Sequence, residues 1–201
     1  MKLEKFFKNI SLVTMKVTNG CNLKCSYCNV EAMTPNTPRM SLDTAKQIAD
    51  LLILNSKSEF VRLEFHGGEP LLMGDEWIEN VLTYAKDLAK KHGKQIEFPL
   101  VTNATIIQEK RLRKLTDLGI QFSISADGPP EINDINRQGG KKVEQSLALF
   151  RQLDIPVGVM TVVGPNNYNR MDEVMNWLLD CGKTDFTTNF CSAYVKSSQS
   201  R

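Results

Sequence analysis

Phe60-Val61-Arg62-Leu63-Glu64-Phe65-His66-Gly67-Gly68-Glu69-Pro70 shows the unit from which this chain is built. Residues 60–65 read as a strand that runs directly into two glycines, a carboxylate and a proline. Asp75 to His92 follows as the clearest helix, with Ile78, Leu82, Ala85 and Ala89 at helical spacing and Gly93 just past its end. The same order recurs along the chain. Residues 11–17, 96–101, 120–125, 155–163 and 185–190 read as further strands, with Pro99 weakening the third in chain order. A helix starting at Ser41 as N-cap, and helices over 107–118, 142–153 and 171–180, fill the intervals. Gly119 and Gly182 stop the third and the last of these five helices. Six strands alternating with five helices predict parallel strands joined by right-handed crossovers. An open doubly wound sheet and a barrel-like array both fit, and both place active sites at the carboxyl ends of the strands.

The 201 residues, 41% of them hydrophobic, suit one domain over 1–201. Charge is nearly balanced, 25 basic against 23 acidic residues, with no basic block. Nucleic-acid binding by bulk electrostatics is therefore unsupported. The first eight residues mix charges among their apolar side chains, unlike a signal peptide, and no apolar run approaches a membrane span. These features point to a cytoplasmic protein. The five cysteines are odd in number and clustered, which favours metal binding over a disulfide framework.

Unusual residues gather at one end of every strand. The first strand is followed by Cys21, Cys25 and Cys28, the second by Gly67-Gly68-Glu69-Pro70, the third by Thr102-Asn103. The fourth runs into Ser125-Ala126-Asp127-Gly128-Pro129, the fifth into Gly164-Pro165-Asn166-Asn167, and the sixth into Asn189 to Tyr194. The opposite turns are plain. Cys-x3-Cys-x2-Cys can hold three irons of a four-iron cluster and leave the fourth open to a substrate or cofactor. Alternatives are a structural zinc site completed by His66, Cys181 or Cys191, or ordinary buried cysteines.

Glycines at 67 and 68 let a backbone approach a ligand closely, and Glu69 can bind an amino group. Ser125 and Asp127 can bind a ribose or a carboxylate, or form only an Asp-Gly turn; Asn103 carries the same two readings. Arg137 can clamp a carboxylate. His66 reads as a packed or orienting histidine, Met160 and Met175 as core, and Trp77 and Trp177 as packing residues on helices.

Together these residues resemble the radical S-adenosylmethionine enzymes. The likeness runs from Val13 to about Tyr194 and rests on Cys21-x3-Cys25-x2-Cys28 with Tyr27 before the third cysteine, and on Gly67-Gly68-Glu69-Pro70. Thr102-Asn103, residues 123–129 and Arg137 are most similar to the branch that modifies peptides and proteins, which includes sulfatase maturases and maturases of ribosomally made peptides.

The resemblance implies a partial (β/α)6 TIM-like barrel, short at its C-terminal end. It implies a [4Fe-4S] cluster on Cys21, Cys25 and Cys28, and S-adenosylmethionine on the open iron. Glu69 with the Gly67-Gly68 backbone would receive the amino group, Arg137 the carboxylate and Ser125 the ribose, with Pro70 and Asp127 also among the cofactor-binding residues. Tyr27 would lie near the adenine, with Asn103 supporting the pocket. A peptide or protein substrate is implied, with a flavodoxin- or ferredoxin-type reductant and a leader-peptide-binding or completing partner protein. The branch usually carries a cysteine-rich C-terminal domain; this chain ends at Arg201 with only Cys181 and Cys191 beyond the signature. Asn133-Asp134 stands where many relatives have histidine-aspartate. The alternatives are a radical enzyme acting on a small molecule and a non-catalytic iron–sulfur accessory subunit.

Overall fold

A computed structural model describes residues 3–28, 37–181 and 186–190. Gly182, Cys191 and Tyr194 lie outside the described residues. The six strands are β1 (Leu12–Thr18), β2 (Phe60–Gly67), β3 (Gln95–Thr102), β4 (Ile120–Ser125), β5 (Val157–Val163) and β6 (Phe186–Phe190). They pair in sequence order, every pair parallel. That order settles the architecture. A doubly wound sheet reverses its strand order at a switch point, and this sheet never reverses. It is the open arc of a barrel, as the resemblance implies.

The helices are α1 (Leu3–Phe7), α2 (Leu42–Asn55), α3 (Asp75–Lys91), α4 (Glu109–Asp117), α5 (Pro130–Asn136), α6 (Gly140–Gln152) and α7 (Met171–Asp180). Ser41 caps α2 by accepting the Thr44 N–H, and Ala45, Ala49, Leu52 and Ile53 bury one stripe of that helix. α3 buries Ile78, Val81, Leu82, Ala85 and Ala89, and Gly93 follows it with φ +67°. Among the described residues no helix is long and apolar enough to cross a membrane.

Alternation along the strands separates two faces. Val61, Leu63 and Phe65, then Phe98 and Leu100, Phe122 and Ile124, and Val157 and Val159 are buried in the core that the helices cover. Phe65 meets Trp77 edge to face and lies beside Phe98. The other face carries Arg62, Glu64, His66, Gln121, Ser123, Ser125 and Met160, all exposed or half-buried. Met160 is thus not a core residue. It pairs with Ser125 across β4–β5, and its neighbours Val159 and Thr161 take the buried positions. Pro99 is tolerated inside the sheet because the β2–β3 register skips from Arg62↔Glu97 to Phe65↔Leu100, so the missing donor falls in a gap of the ladder.

Two helices were not anticipated. α1 is only five residues long, and α5 (PEINDIN) has too few apolar residues for a periodic stripe. Replacing Phe65 by alanine should open a cavity and cost about 3–5 kcal/mol. A urea titration reads this as a lower midpoint at unchanged slope.

Candidate active site

The rim is assembled by hydrogen bonds that run between loops. Beyond the paired part of β1, Gly68 N–H donates to the Thr18 carbonyl (2.7 Å) and Glu69 N–H to the Gly20 carbonyl (2.8 Å). A bulge between Lys16 and Thr18 precedes this contact, and the Thr18 hydroxyl accepts the Gly20 N–H at 3.0 Å. The two glycines are required here by the chain itself. A Cβ on Gly67, whose φ is +144°, would sit 2.3 Å from the Thr18 carbonyl oxygen; one on Gly68 would sit 2.2 Å from that of Gly20. Their small size seats the cysteine loop on β2, so the close approach is to backbone rather than first to a ligand.

Glu69 is fully buried. Its Oε1 accepts from the Leu71 N–H (3.0 Å) and the Thr102 hydroxyl (2.8 Å), and its Oε2 from the Asn103 N–H (2.8 Å). It also caps the short 3-10 turn Pro70–Met73. Burial pushes its carboxyl upward, and the three donors work against that push. The carboxylate is thus a strut joining the β2 turn to β3. What the motif presents at the rim is the backbone of half-exposed Gly68.

Asn103 ties the same corner to the cysteines. Its Nδ2 donates to Asn22 Oδ1 (2.9 Å) and approaches Cys21 Sγ at 3.7 Å, while its Oδ1 accepts from the N–H and hydroxyl of Thr105. Cys21 Sγ also accepts the Leu23 N–H at 3.4 Å.

On the opposite side, Tyr27 lies between two charges. Its hydroxyl donates to Asp127 Oδ2 (2.5 Å) and accepts from Arg137 Nη1 (2.6 Å). Burial, with Asp127 beside it, holds the phenol well above its ordinary range against the pull of Arg137. Asp127 is fully enclosed, and its Oδ1 accepts the Val162 N–H. Burial raises its carboxyl, with Arg137 partly offsetting. Asp127 thus braces Tyr27 and β5, and Tyr27 joins it to Arg137. Burial alone would lower the Arg137 guanidinium, but Tyr27, Cys25 and Asp127 outweigh it.

Ser125 is half-buried on the inner face, and its hydroxyl makes no hydrogen bond among the described residues. His66 uses Nδ1 to accept its neighbour's Gly67 N–H. Cys181 is the C-cap of α7 and packs, half-buried, against the hydrophobic core.

Several rim residues carry no motif of their own. Asn136 accepts the Ser26 N–H on its carbonyl and both the Ser26 hydroxyl and the Asn166 amide on Oδ1. Asn133 Oδ1 accepts the Asp127 N–H, and Asn167 Nδ2 donates to the carbonyls of Asp127 and Val162. Asparagines clustered just past strand ends were the available signal, but such residues read as turns until their partners are known. Asn133, at the position noted for histidine in relatives, is fully buried and holds the Asp127 backbone.

The residues fit an iron–sulfur cluster. Cys21, Cys25 and Cys28 are half-buried, form no disulfide, and lie close enough that Cys25 feels both others. Burial raises the Cys21 and Cys25 thiols, so a bound metal would be what keeps them as thiolates. Two N–H groups already point at Cys21 Sγ, the kind of contact that tunes cluster sulfurs. Among the described residues no three His, Cys, Asp or Glu side chains gather around a position for one ion. A four-iron cube makes a different demand, because each thiolate binds a different iron. Arg137 is 9% exposed, yet among the described residues its Nε and Nη2 make no hydrogen bond. A buried guanidinium with spare donors suits a carboxylate.

A rim of this chemistry on a partial barrel of parallel strands defines a class. The chain matches the Radical SAM superfamily over residues 15–178 and belongs to it. That family uses a [4Fe-4S] cluster and S-adenosylmethionine. An uncharacterized protein of Methanocaldococcus jannaschii is 37% identical over 84% of this chain and 58% of its own length. A cysteine-type anaerobic sulfatase-maturating enzyme of Clostridium perfringens is 28% identical over 84% of this chain and 48% of its own. A GTP 3′,8-cyclase of Bradyrhizobium diazoefficiens is 28% identical over 87% and 51%. The solved structure of anSMEcpe with bound AdoMet superposes with a TM-score of 0.79 at 26% identity, over 91% of this chain and 52% of that one. The chain spans about half the length of the curated relatives it matches.

Glu69→Ala would strand three buried donors and should cost on the order of 3 kcal/mol or more, seen as a lower thermal midpoint of the metal-free protein. Gly68→Ala should separate the cysteine loop from β2, lowering iron retention after reconstitution while far-UV circular dichroism stays near that of the parent.

Proposed function

We propose that this chain is the catalytic core of a radical S-adenosylmethionine enzyme that modifies a peptide or protein. The observation that carries it is the bonding of the three-cysteine loop to the ends of four other strands. Gly20 meets Glu69 beyond β2, Asn22 meets Asn103 beyond β3, Tyr27 meets Asp127 beyond β4, and Ser26 reaches Asn166 beyond β5 through Asn136. A loop held on so many sides keeps its three sulfurs in place for a cluster whose fourth iron lacks a protein ligand.

A bound [4Fe-4S] cluster would supply the electron for reductive cleavage of S-adenosylmethionine, and with it the radical chemistry that takes a hydrogen from the substrate. Cys21, Cys25 and Cys28 hold it. The spare donors of Arg137 bind the methionine carboxylate, the Gly68 backbone meets the amino group, and the free Ser125 hydroxyl meets the ribose. Glu69, Asn103, Asp127 and Tyr27 act one layer behind, by fixing the groups that touch. The chain's contribution is positioning, so that the reactive centre meets one bond of the substrate and little else. A flavodoxin- or ferredoxin-type protein serves as electron donor.

The peptide-directed reading is supported by likeness to a sulfatase-maturating enzyme in sequence, and to anSMEcpe in fold. The inner sheet face carries Arg62, Glu64, His66, Ser123 and Met160, all exposed or half-buried.

Anaerobic reconstitution should load about four irons per chain, with visible absorption that a strong reductant bleaches. Cys25→Ala should remove that absorption. Stoichiometric zinc without it would end the cluster reading. Reductant and S-adenosylmethionine should release 5′-deoxyadenosine, and a deuterated cysteine- or serine-containing peptide should pass deuterium into it. Deuterium transfer from a nucleotide, and none from peptides, would favour a small-molecule substrate.

A further inference from the structure

Behind the Gly67-Gly68-Glu69-Pro70 turn stands a charged pair that the cofactor roles above do not use. Arg111 of α4 donates from Nη2 to the Leu71 carbonyl (2.5 Å). Its Nε lies 2.6 Å from Asp75 Oδ1 at the start of α3, close but not aligned as a hydrogen bond. The Arg111 side chain is 18% exposed, the lowest of the cations in ion pairs among the described residues. Leu71 is therefore gripped on both sides. Its N–H is held by Glu69 Oε1 and its carbonyl by Arg111.

Glu69 itself forms no ion pair among the described residues, although it is fully buried. Arg111 is the cation that favours its charged form. The link thus runs from Arg111 through Leu71 to Glu69, and from Glu69 to Thr102 and Asn103. Gly68, whose backbone faces the rim, sits at the head of this chain of contacts. A planar guanidinium can serve a carbonyl and a carboxylate in different directions at once; an ammonium cannot hold both in that geometry.

A simpler role would be to staple α3 to α4. The molecule contains its own control for that role. Lys114 and Glu79 form an ion pair at 2.8 Å between the same two helices, one turn further along each, with no contact to the turn.

We propose that Arg111 is a positioning residue for the cofactor, setting the Gly67-Gly68-Glu69 backbone through Leu71. The proposal rests on the S-adenosylmethionine site described above. Removing Arg111 leaves the Leu71 carbonyl and Asp75 without their cation, and the Pro70–Met73 turn loses its outer support. The cysteines do not touch this pair, so the cluster stays.

The test uses anaerobically reconstituted protein and S-adenosylmethionine as the probe. Its Kd is read from the change in the electron paramagnetic resonance signal of the reduced cluster. Arg111→Met should weaken binding about tenfold, the effect of losing roughly one good interaction, with iron content unchanged. Arg111→Lys should fall between the two. Lys114→Met should bind like the parent. Amide exchange over residues 67–73 should quicken in Arg111→Met and not in Lys114→Met. Should Arg111→Met fold poorly, the Arg111→Lys and Lys114→Met pair decides alone. Parent-like affinity in Arg111→Met, or in Arg111→Lys where only that pair is used, overturns this proposal alone. So does equal weakening in Lys114→Met, which would make the pair a general staple. A parent protein that holds the cluster but takes no S-adenosylmethionine overturns both this proposal and the function on which it rests.

Discussion

Two backbone hydrogen bonds, Gly68 N–H to the Thr18 carbonyl and Glu69 N–H to the Gly20 carbonyl, carry the contact between the first two strands past the end of the sheet. The rest of the rim depends on them. They bring the start of the cysteine loop against the Gly-Gly-Glu turn so closely that neither glycine has room for a Cβ. Once that seam is closed, Cys21 lies within reach of the Asn103 amide, and the turn can bury Glu69 between strand ends. A side chain at either glycine would need the loops to part, and the later contacts would lose their register.

The charged residues of the rim divide into those that are enclosed and those that retain capacity. Glu69 and Asp127 are fully buried carboxylates, and each spends its oxygens on donors of the chain, Leu71, Thr102 and Asn103 for Glu69 and Tyr27 and Val162 for Asp127. Buried carboxylates are costly unless so satisfied. Here that cost is offset by donors whose positions are thereby fixed, which suits a site that works by orientation. Arg137 and Ser125 keep unpartnered polar groups. In the proposed reading the cofactor-facing chemistry belongs to this second set, and the first set holds it still.

Much of this was legible from residue order. Strand–turn–helix alternation announced a parallel sheet, and the glycines, carboxylates and cysteines fell at one end of it. Glu69 and Asp127 were visible as important, but their enclosure by donors of the chain itself was not. A carboxylate beside glycines reads the same whether it faces a ligand or its own backbone, because burial is a property of the neighbours rather than of the residue. Met160 was misplaced for a related reason: an apolar residue on a strand shows its face only when the register is known. Asn136 and Arg111 carried no signal, since their partners lie distant in sequence, up to 110 residues away for Asn136 and Ser26.

The sequence by itself determined the metal chemistry and the class of fold. Cysteine spacing is a local covalent fact, and alternating periodicity restricts how strands can connect. Only the tertiary structure decided between a wound sheet and a barrel arc, and between rim residues that are enclosed and those that keep spare polar groups. Both decisions depend on which strands lie side by side and which side chains become enclosed, quantities set by packing across the whole chain.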